Sequence, residues 1–232
     1  MYNKLYPYKV FKILISIISI LLVANIAGLV SKFYFGHGRL HGLIPLFDFN
    51  RESNIPTMYS SIALIIAGVL LMVIAMAHRK KNDAHIHWAV LSLIFFFLSV
   101  DEFASIHEML IDPVRAALGA SGLLYFSWVV PYAIILLLLA GSYINFLIRL
   151  PRKIMYLFLV SGTLYVGGAM GVELFEGAHA EIYGFETLTF ALFYTVEELL
   201  EMVGIAVFIY SLLLYITSQF QFLTISIVAK KG

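Results

Sequence analysis

The chain contains no cysteine. Disulfides, thiolate metal sites, iron–sulfur clusters and cysteine nucleophiles are therefore excluded. Charge is also scarce. Asp, Glu, Lys and Arg make up 12% of the 232 residues, against about 25% in a soluble domain. The 15 bases and 14 acids nearly cancel, and no basic patch is present to meet nucleic acid. There is no convincing internal repeat and no low-complexity segment.

What the chain has instead is apolar length. Hydrophobic residues make up 62% of it, and its mean hydropathy is +0.94. This predicts an all-α, polytopic membrane helical bundle with the lipid bilayer as its surroundings. Residues 1–232 read as a single transmembrane domain. Six apolar runs lie at about 10–34, 57–78, 87–111, 124–148, 154–179 and 187–216. Each is long enough to cross about 30 Å of hydrocarbon as a helix. Lys4, Lys9 and Lys12 precede the first run. That run exceeds a signal-peptide core and no small-x-small site follows it, so it reads as a retained span.

Basic residues set the expected orientation. Lys4, Lys9, Lys12, Arg79, Lys80, Lys81, Arg149, Arg152, Lys153, Lys230 and Lys231 fall on one side. Lys32, Arg39, Arg51 and Arg115 fall on the other. Both termini are expected inside. The acids are distributed oppositely: only Asp83 lies on the inner side. The outer loop from Phe35 to Pro56 is long for a bundle connection. It carries His37, His41, Asp48, Arg51 and Glu52, with an apolar piece, Leu43 to Phe49, placed to lie along the interface or to fold over the bundle. His37 and His41 read as ordinary loop histidines, and His78, His85 and His87 as interfacial ones. Trp88 and Trp128 fit interfacial anchors, and Gly167, Gly168 and Gly171 suit close helix packing.

The informative stretch is Thr195 to Gly204, TVEELLEMVG. Glu197, Glu198 and Glu201 fall within about 100° of one another on one helix face. Each costs about 3 kcal/mol near the centre of a membrane helix. Span three ends in SVDEFASIHEML, where Asp101, Ser105 and Glu108 share a face at i, i+4 and i+7, with Glu102 and His107 to either side. Span five ends in GVELFEGAHAE, with Glu173, Glu176 and His179 following at i, i+3 and i+6. Helical rise puts Asp101 and Glu197 roughly 16 Å from the outer end, near the bilayer midplane. No Lys or Arg lies at comparable depth. These acids must face the bundle interior, where they are protonated, hydrated or bound to cations.

A divalent metal answers this requirement. Carboxylates with one or two imidazoles suit one or two ions of Fe, Mn or Zn, and all-oxygen ligation suits Ca or Mg. The candidate ligands are Asp101, Glu102, His107, Glu108, Glu173, Glu176, His179, Glu197 and Glu201, with Glu198 as a general base. Tyr165, Tyr194 and Ser105 are candidate supporting groups. Glu176-x-x-His179 has the Glu-x-x-His spacing of di-iron helical bundles. Those bundles use the motif twice, whereas here span three offers His107-Glu108 instead.

At SVDEFASIHE, VELFEG and TVEELLEMVG, taken with NIPTMYSS and LYFSWVVP, the chain resembles an uncharacterised family of bacterial six-span inner-membrane proteins. The family has no established activity. The resemblance implies a multi-pass protein of the bacterial inner (cytoplasmic) membrane, N-in and C-in.

The leading expectation is an intramembrane carboxylate/His metal site open to the periplasmic side. As an enzyme, such a protein would be a metal-dependent membrane oxidoreductase or hydrolase acting on a lipid or quinone from the outer leaflet. A proton or divalent-cation transporter competes with this reading. It lacks an evident inner continuation, Ser142 and Asn145 being the nearest candidates. A structural, assembly or sensor subunit locked by a cation is the third reading.

Overall fold

A computed structural model describes residues 6–79 and 85–220. Lys4, Lys80, Lys81, Asp83, Lys230 and Lys231, which contribute to the charge asymmetry, lie outside the described residues.

The helices are α1 (Pro7–Phe35), α2 (Leu43–Phe47), α3 (Ile55–Arg79), α4 (His85–Ala104), α5 (Ile111–Leu118), α6 (Val129–Ile148), α7 (Arg152–Val166), α8 (Glu173–Tyr183) and α9 (Leu188–Gln219). A π-helical turn, Gly167–Val172, joins α7 to α8 and makes them one crossing. Among the described residues, six helices are long and apolar enough to cross a membrane: α1, α3, α4, α6, α7–α8 and α9. The all-helical, multi-pass expectation is met.

An apolar helix can face lipid, but one that carries acids needs protein around it. α9 is that helix, with 67% of its apolar stretch buried, against 17% for α6. It packs against α1, α3, α7, the π turn and α8. Small residues set how closely the helices approach, as they do in membranes. A Cβ on Gly204 would lie 2.8 Å from the Tyr165 backbone nitrogen. One on Gly168 would lie 2.7 Å from the Glu197 carbonyl oxygen. Gly167 and Gly171 face open space, so Gly168 and Gly204 do the close packing expected of the 167–171 glycines. α3 and α4 are joined by hydroxyls: Ser61 Oγ donates to the Ser99 carbonyl at 2.9 Å, Ser99 Oγ donates to the Ser61 carbonyl at 3.0 Å, and Ser92 Oγ donates to the Gly68 carbonyl at 2.7 Å.

Two expected spans are shorter than their hydropathy suggests. α4 stops at Ala104 instead of running to 111. Ser105 takes a left-handed conformation (φ 48) that a helix cannot continue through. The chain then turns through a 3₁₀ segment, His107–Leu110, into the short α5. The shared face expected for Asp101, Ser105 and Glu108 is lost at this break. α6 begins at Val129, after a 3₁₀ turn at Gly122–Leu124, instead of near 124.

The tryptophans are not interfacial anchors. Trp88 is packed against Phe146, Phe158 and Tyr215, and Trp128 is likewise buried. His78 is also buried, and its Nε2 shares a 2.8 Å hydrogen bond with Tyr215. The 36–54 loop folds back over the bundle. Buried Asn25 on α1 fixes it: Oδ1 accepts the Phe49 N–H at 3.1 Å, while Nδ2 donates to Thr195 Oγ1 on α9 at 2.9 Å. Asn54 then caps α3, its Oδ1 accepting the Thr57 N–H at 3.1 Å.

Candidate functional site

Beneath that loop lies a cavity of about 570 Å³. Five parts of the chain wall it. The end of α4 and the turn after it bring Asp101, Glu102, His107 and Glu108. The π turn and α8 bring Glu173 and Glu176. α9 brings Tyr194, Glu197, Glu198 and Glu201. The loop adds Phe49, Asn50 and Glu52, and the start of α6 adds Trp128, Tyr132 and Ile135. Every expected ligand except His179 lines this one space, as does Glu198. No Lys or Arg lines it among the described residues.

Local backbone irregularities place these groups. After the break at Ser105, Asp101 caps the turn: its Oδ1 accepts the His107 backbone N–H at 2.8 Å. The same oxygen lies 3.4 Å from His107 Nδ1. Asp101 Oδ2 accepts the Tyr132 hydroxyl at 3.2 Å. Asp101 is therefore a fixed, buried group with both oxygens engaged. Burial alone would pull the His107 imidazole down. The facing Asp101 carboxylate overrides this and holds it above its ordinary value.

On the opposite wall, the π turn inserts an extra residue per turn just before Glu173, which rotates α8 relative to α7. Trp128 Nε1–H donates to Glu173 Oε1 at 2.9 Å. Glu197 lies within hydrogen-bonding reach of both Glu173 and Glu176. Glu176 is buried, and its Oε2 accepts no hydrogen bond among the described residues. Carboxylates at such range repel one another unless a proton or a cation stands between them. Gly168 makes the arrangement possible, since any side chain there would strike the Glu197 carbonyl.

His179 is the exception. Its Nε2 shares a 2.7 Å hydrogen bond with Thr187 Oγ1, the side chain that also caps α9 by accepting the Phe190 N–H at 3.1 Å. Glu176 faces the cavity while His179 ties α8 to the start of α9, so the Glu-x-x-His pair is not brought together. His37 and His41 also stay outside the cavity lining.

Glu52, Trp128 and Tyr132 line the cavity without having been expected there. Glu52 stands in the long outer loop, where Asp48 and Arg51 are also charged, so its charge alone did not mark it. Its own surface remains open to the cavity, but desolvation by the surrounding protein, followed by repulsion from Glu108, pushes its carboxyl up to about 7. Nothing in the sequence pointed Trp128 or Tyr132 toward acids on other helices.

The donor chemistry suits a hard cation, but the side chains are not gathered around one. Among the described residues, no three His, Asp or Glu groups converge at metal-holding geometry. No curated protein and no solved structure matches the chain. A family described as Domain of unknown function (DUF8692) matches residues 15–216, nearly the whole length, and the chain belongs to that family.

Proposed function

We propose that this membrane protein binds a cation in its acidic cavity, with Glu173, Glu176 and Glu197 at the centre of the site. The observation that carries the reading is the contact of Glu197 with two other carboxyls inside a cavity that no Lys or Arg lines among the described residues. A divalent metal is the cation we favour. Asp101, Glu102, His107, Glu108 and Glu201 stand around the same space as further donors. When bound, the metal would supply Lewis acidity for a metal-dependent oxidoreductase or hydrolase acting on a lipid or quinone.

The chain's own residues have defined parts in this scheme. Trp128 orients Glu173, and Tyr132 with the turn after α4 orients Asp101. Phe49 and the loop over the cavity limit the entry of water. Glu198, which lines the cavity without being one of the three central carboxyls, is the group free to take a proton from a substrate. The uneven distribution of basic residues in the sequence supports a cavity on the periplasmic side of a bacterial inner membrane.

A second reading rests on the lack of three converged ligands among the described residues. In it, the carboxyls are joined by shared protons and the site handles protons alone. Transport across the bundle is less well supported. The space continuing from the cavity is lined by Leu91, Phe95, Leu147 and Phe158, which offer an ion no path.

Elemental analysis of the purified protein separates the two readings. Stoichiometric Fe, Mn or Zn in the wild type, lost in Glu173→Gln and Glu197→Gln, supports the metal. Metal-free protein whose thermal unfolding is unmoved by added Mn, Zn, Ca or Mg overturns it in favour of shared protons.

A further inference from the structure

A second cavity, of about 250 Å³, adjoins the first. Ile94, Leu98, Leu136, Leu139 and Tyr165 line both. Beyond these shared residues its walls are almost wholly apolar, formed by α4, α6, α7 and α9. α6 meets α4 at its two ends, through Tyr132 on Asp101 and through Tyr143 and Phe146 against His87 and Trp88; between those ends the two backbones make few close approaches. Ile135, on the α6 wall of the acidic cavity, is at the same time 63% exposed on the apolar outer surface. The joined space therefore has an acidic end, an apolar end and a side facing the hydrocarbon between α4 and α6.

We propose that the two cavities are one site for an amphiphile whose head donates hydrogen bonds, an amine or an alcohol, and whose apolar chain lies between α4, α6, α7 and α9. This deepens the reading above by naming the substrate class, and it requires no metal. The head is assigned by complementarity. The acidic end presents Glu52, Glu102, Glu173, Glu176, Glu197 and Glu198 and, among the described residues, no Lys or Arg. Glu176, whose buried Oε2 accepts no hydrogen bond from an N–H or hydroxyl among the described residues, belongs to this lining. A donor head meets acceptors here, whereas a carboxylate or phosphate head meets repulsion in a poorly solvated site. The chain is assigned by the second cavity, whose walls are almost wholly apolar. Entry between α4 and α6 brings the head to the acids without taking the chain out of hydrocarbon.

Head and chain can be tested separately on the full-length protein in phosphatidylcholine nanodiscs with a metal chelator present. The probe is 12-bromododecylamine, read by saturable quenching of tryptophan fluorescence. Dodecylamine and dodecanol are expected to displace it, and dodecanoate to do so at least about tenfold more weakly. Gly162 lines the apolar cavity, and a Cβ there meets nothing within 4 Å. Gly162→Leu should therefore fold normally and weaken probe binding about tenfold by filling the chain's space. If it does not fold, Ala140→Phe on α6 tests the same space. Dodecanoate competing as well as dodecylamine, unsaturable quenching, or full affinity in a folded cavity-filling variant each overturns the proposal. Because metal is absent throughout, failure here leaves the elemental analysis standing, and a metal-free protein leaves this result standing.

Discussion

Two tryptophans mark opposite ends of the bundle. Trp88 is 1% exposed, with Tyr215 and Phe146 at 4.8 and 4.9 Å between ring centroids. Aromatic rings enclose it, and hydrogen bonds nearby join His78 to Tyr215 and the Tyr143 hydroxyl to the His87 carbonyl at 2.8 Å. Trp128 is 5% exposed, yet one side of it borders a cavity of about 570 Å³ and its N–H holds a carboxylate. One end is filled by stacked aromatic rings. The other keeps open space among carboxyls inside an apolar bundle, an arrangement that stability does not require. Function is the remaining reason for it.

The largest effect expected from breaking this contrast is at the packed end. Trp88→Ala should destabilise by about 3–5 kcal/mol, since the aromatic cluster has no slack to refill the void. Thermal or denaturant unfolding in mild detergent measures this. Gly168→Ala, at the seam between the π turn and α9, should cost about 1–3 kcal/mol because the new methyl meets backbone instead of a movable side chain. It should also disturb the Glu173–Glu197 contact, so cation binding should fall together with stability. An effect on stability alone would detach the π turn from the site.

At the acidic end the sign should reverse. Glu176→Gln replaces an unmatched buried acceptor with a group that can donate to Glu197, and should be neutral or stabilising by about 1 kcal/mol. A loss of several kcal/mol would place this carboxyl among the bundle's structural contacts and sink the contrast between the two ends.

The smallest expected effect is a pH dependence at the lid. The Glu52 carboxyl is raised in the folded protein to about 7 from an ordinary 4.5. Between those values the folded state binds more proton than the unfolded state. Stability from this group is therefore full below about 4.5 and lost as pH rises through about 7. Glu52→Gln should flatten that part of the unfolding-pH profile without changing the rest. An unchanged profile would put Glu52 in free contact with solvent.

Much of the architecture was legible because a bilayer imposes simple demands. Runs of twenty or more apolar residues must be helices, since hydrocarbon offers the backbone no partner. Acids inside such runs must turn inward, so Asp101, Glu173, Glu176, Glu197 and Glu201 could be singled out together. Regular periodicity misleads where the helix itself is irregular. Treating 87–111 as one helix put Glu108 on the Asp101 face. The left-handed turn at Ser105 gives Asp101 the His107 backbone instead. Spacing also misled within α8, a regular helix: Glu176 lines the cavity, but Thr187 at the start of α9 draws the His179 side chain away from it.

By itself, then, the sequence determined the class of the protein, its six crossings and the three stretches that carry its acids, because hydropathy and the cost of buried charge act locally. Only the tertiary structure decided that Trp128 and Tyr132 reach those acids, that Glu52 closes over them, and that an apolar space continues from them between α4 and α6. Each of these depends on how distant helices meet. That meeting is set by single residues, Gly168, Gly204, Asn25 and Ser105, whose effect depends on the partner across the contact and leaves no period in the sequence.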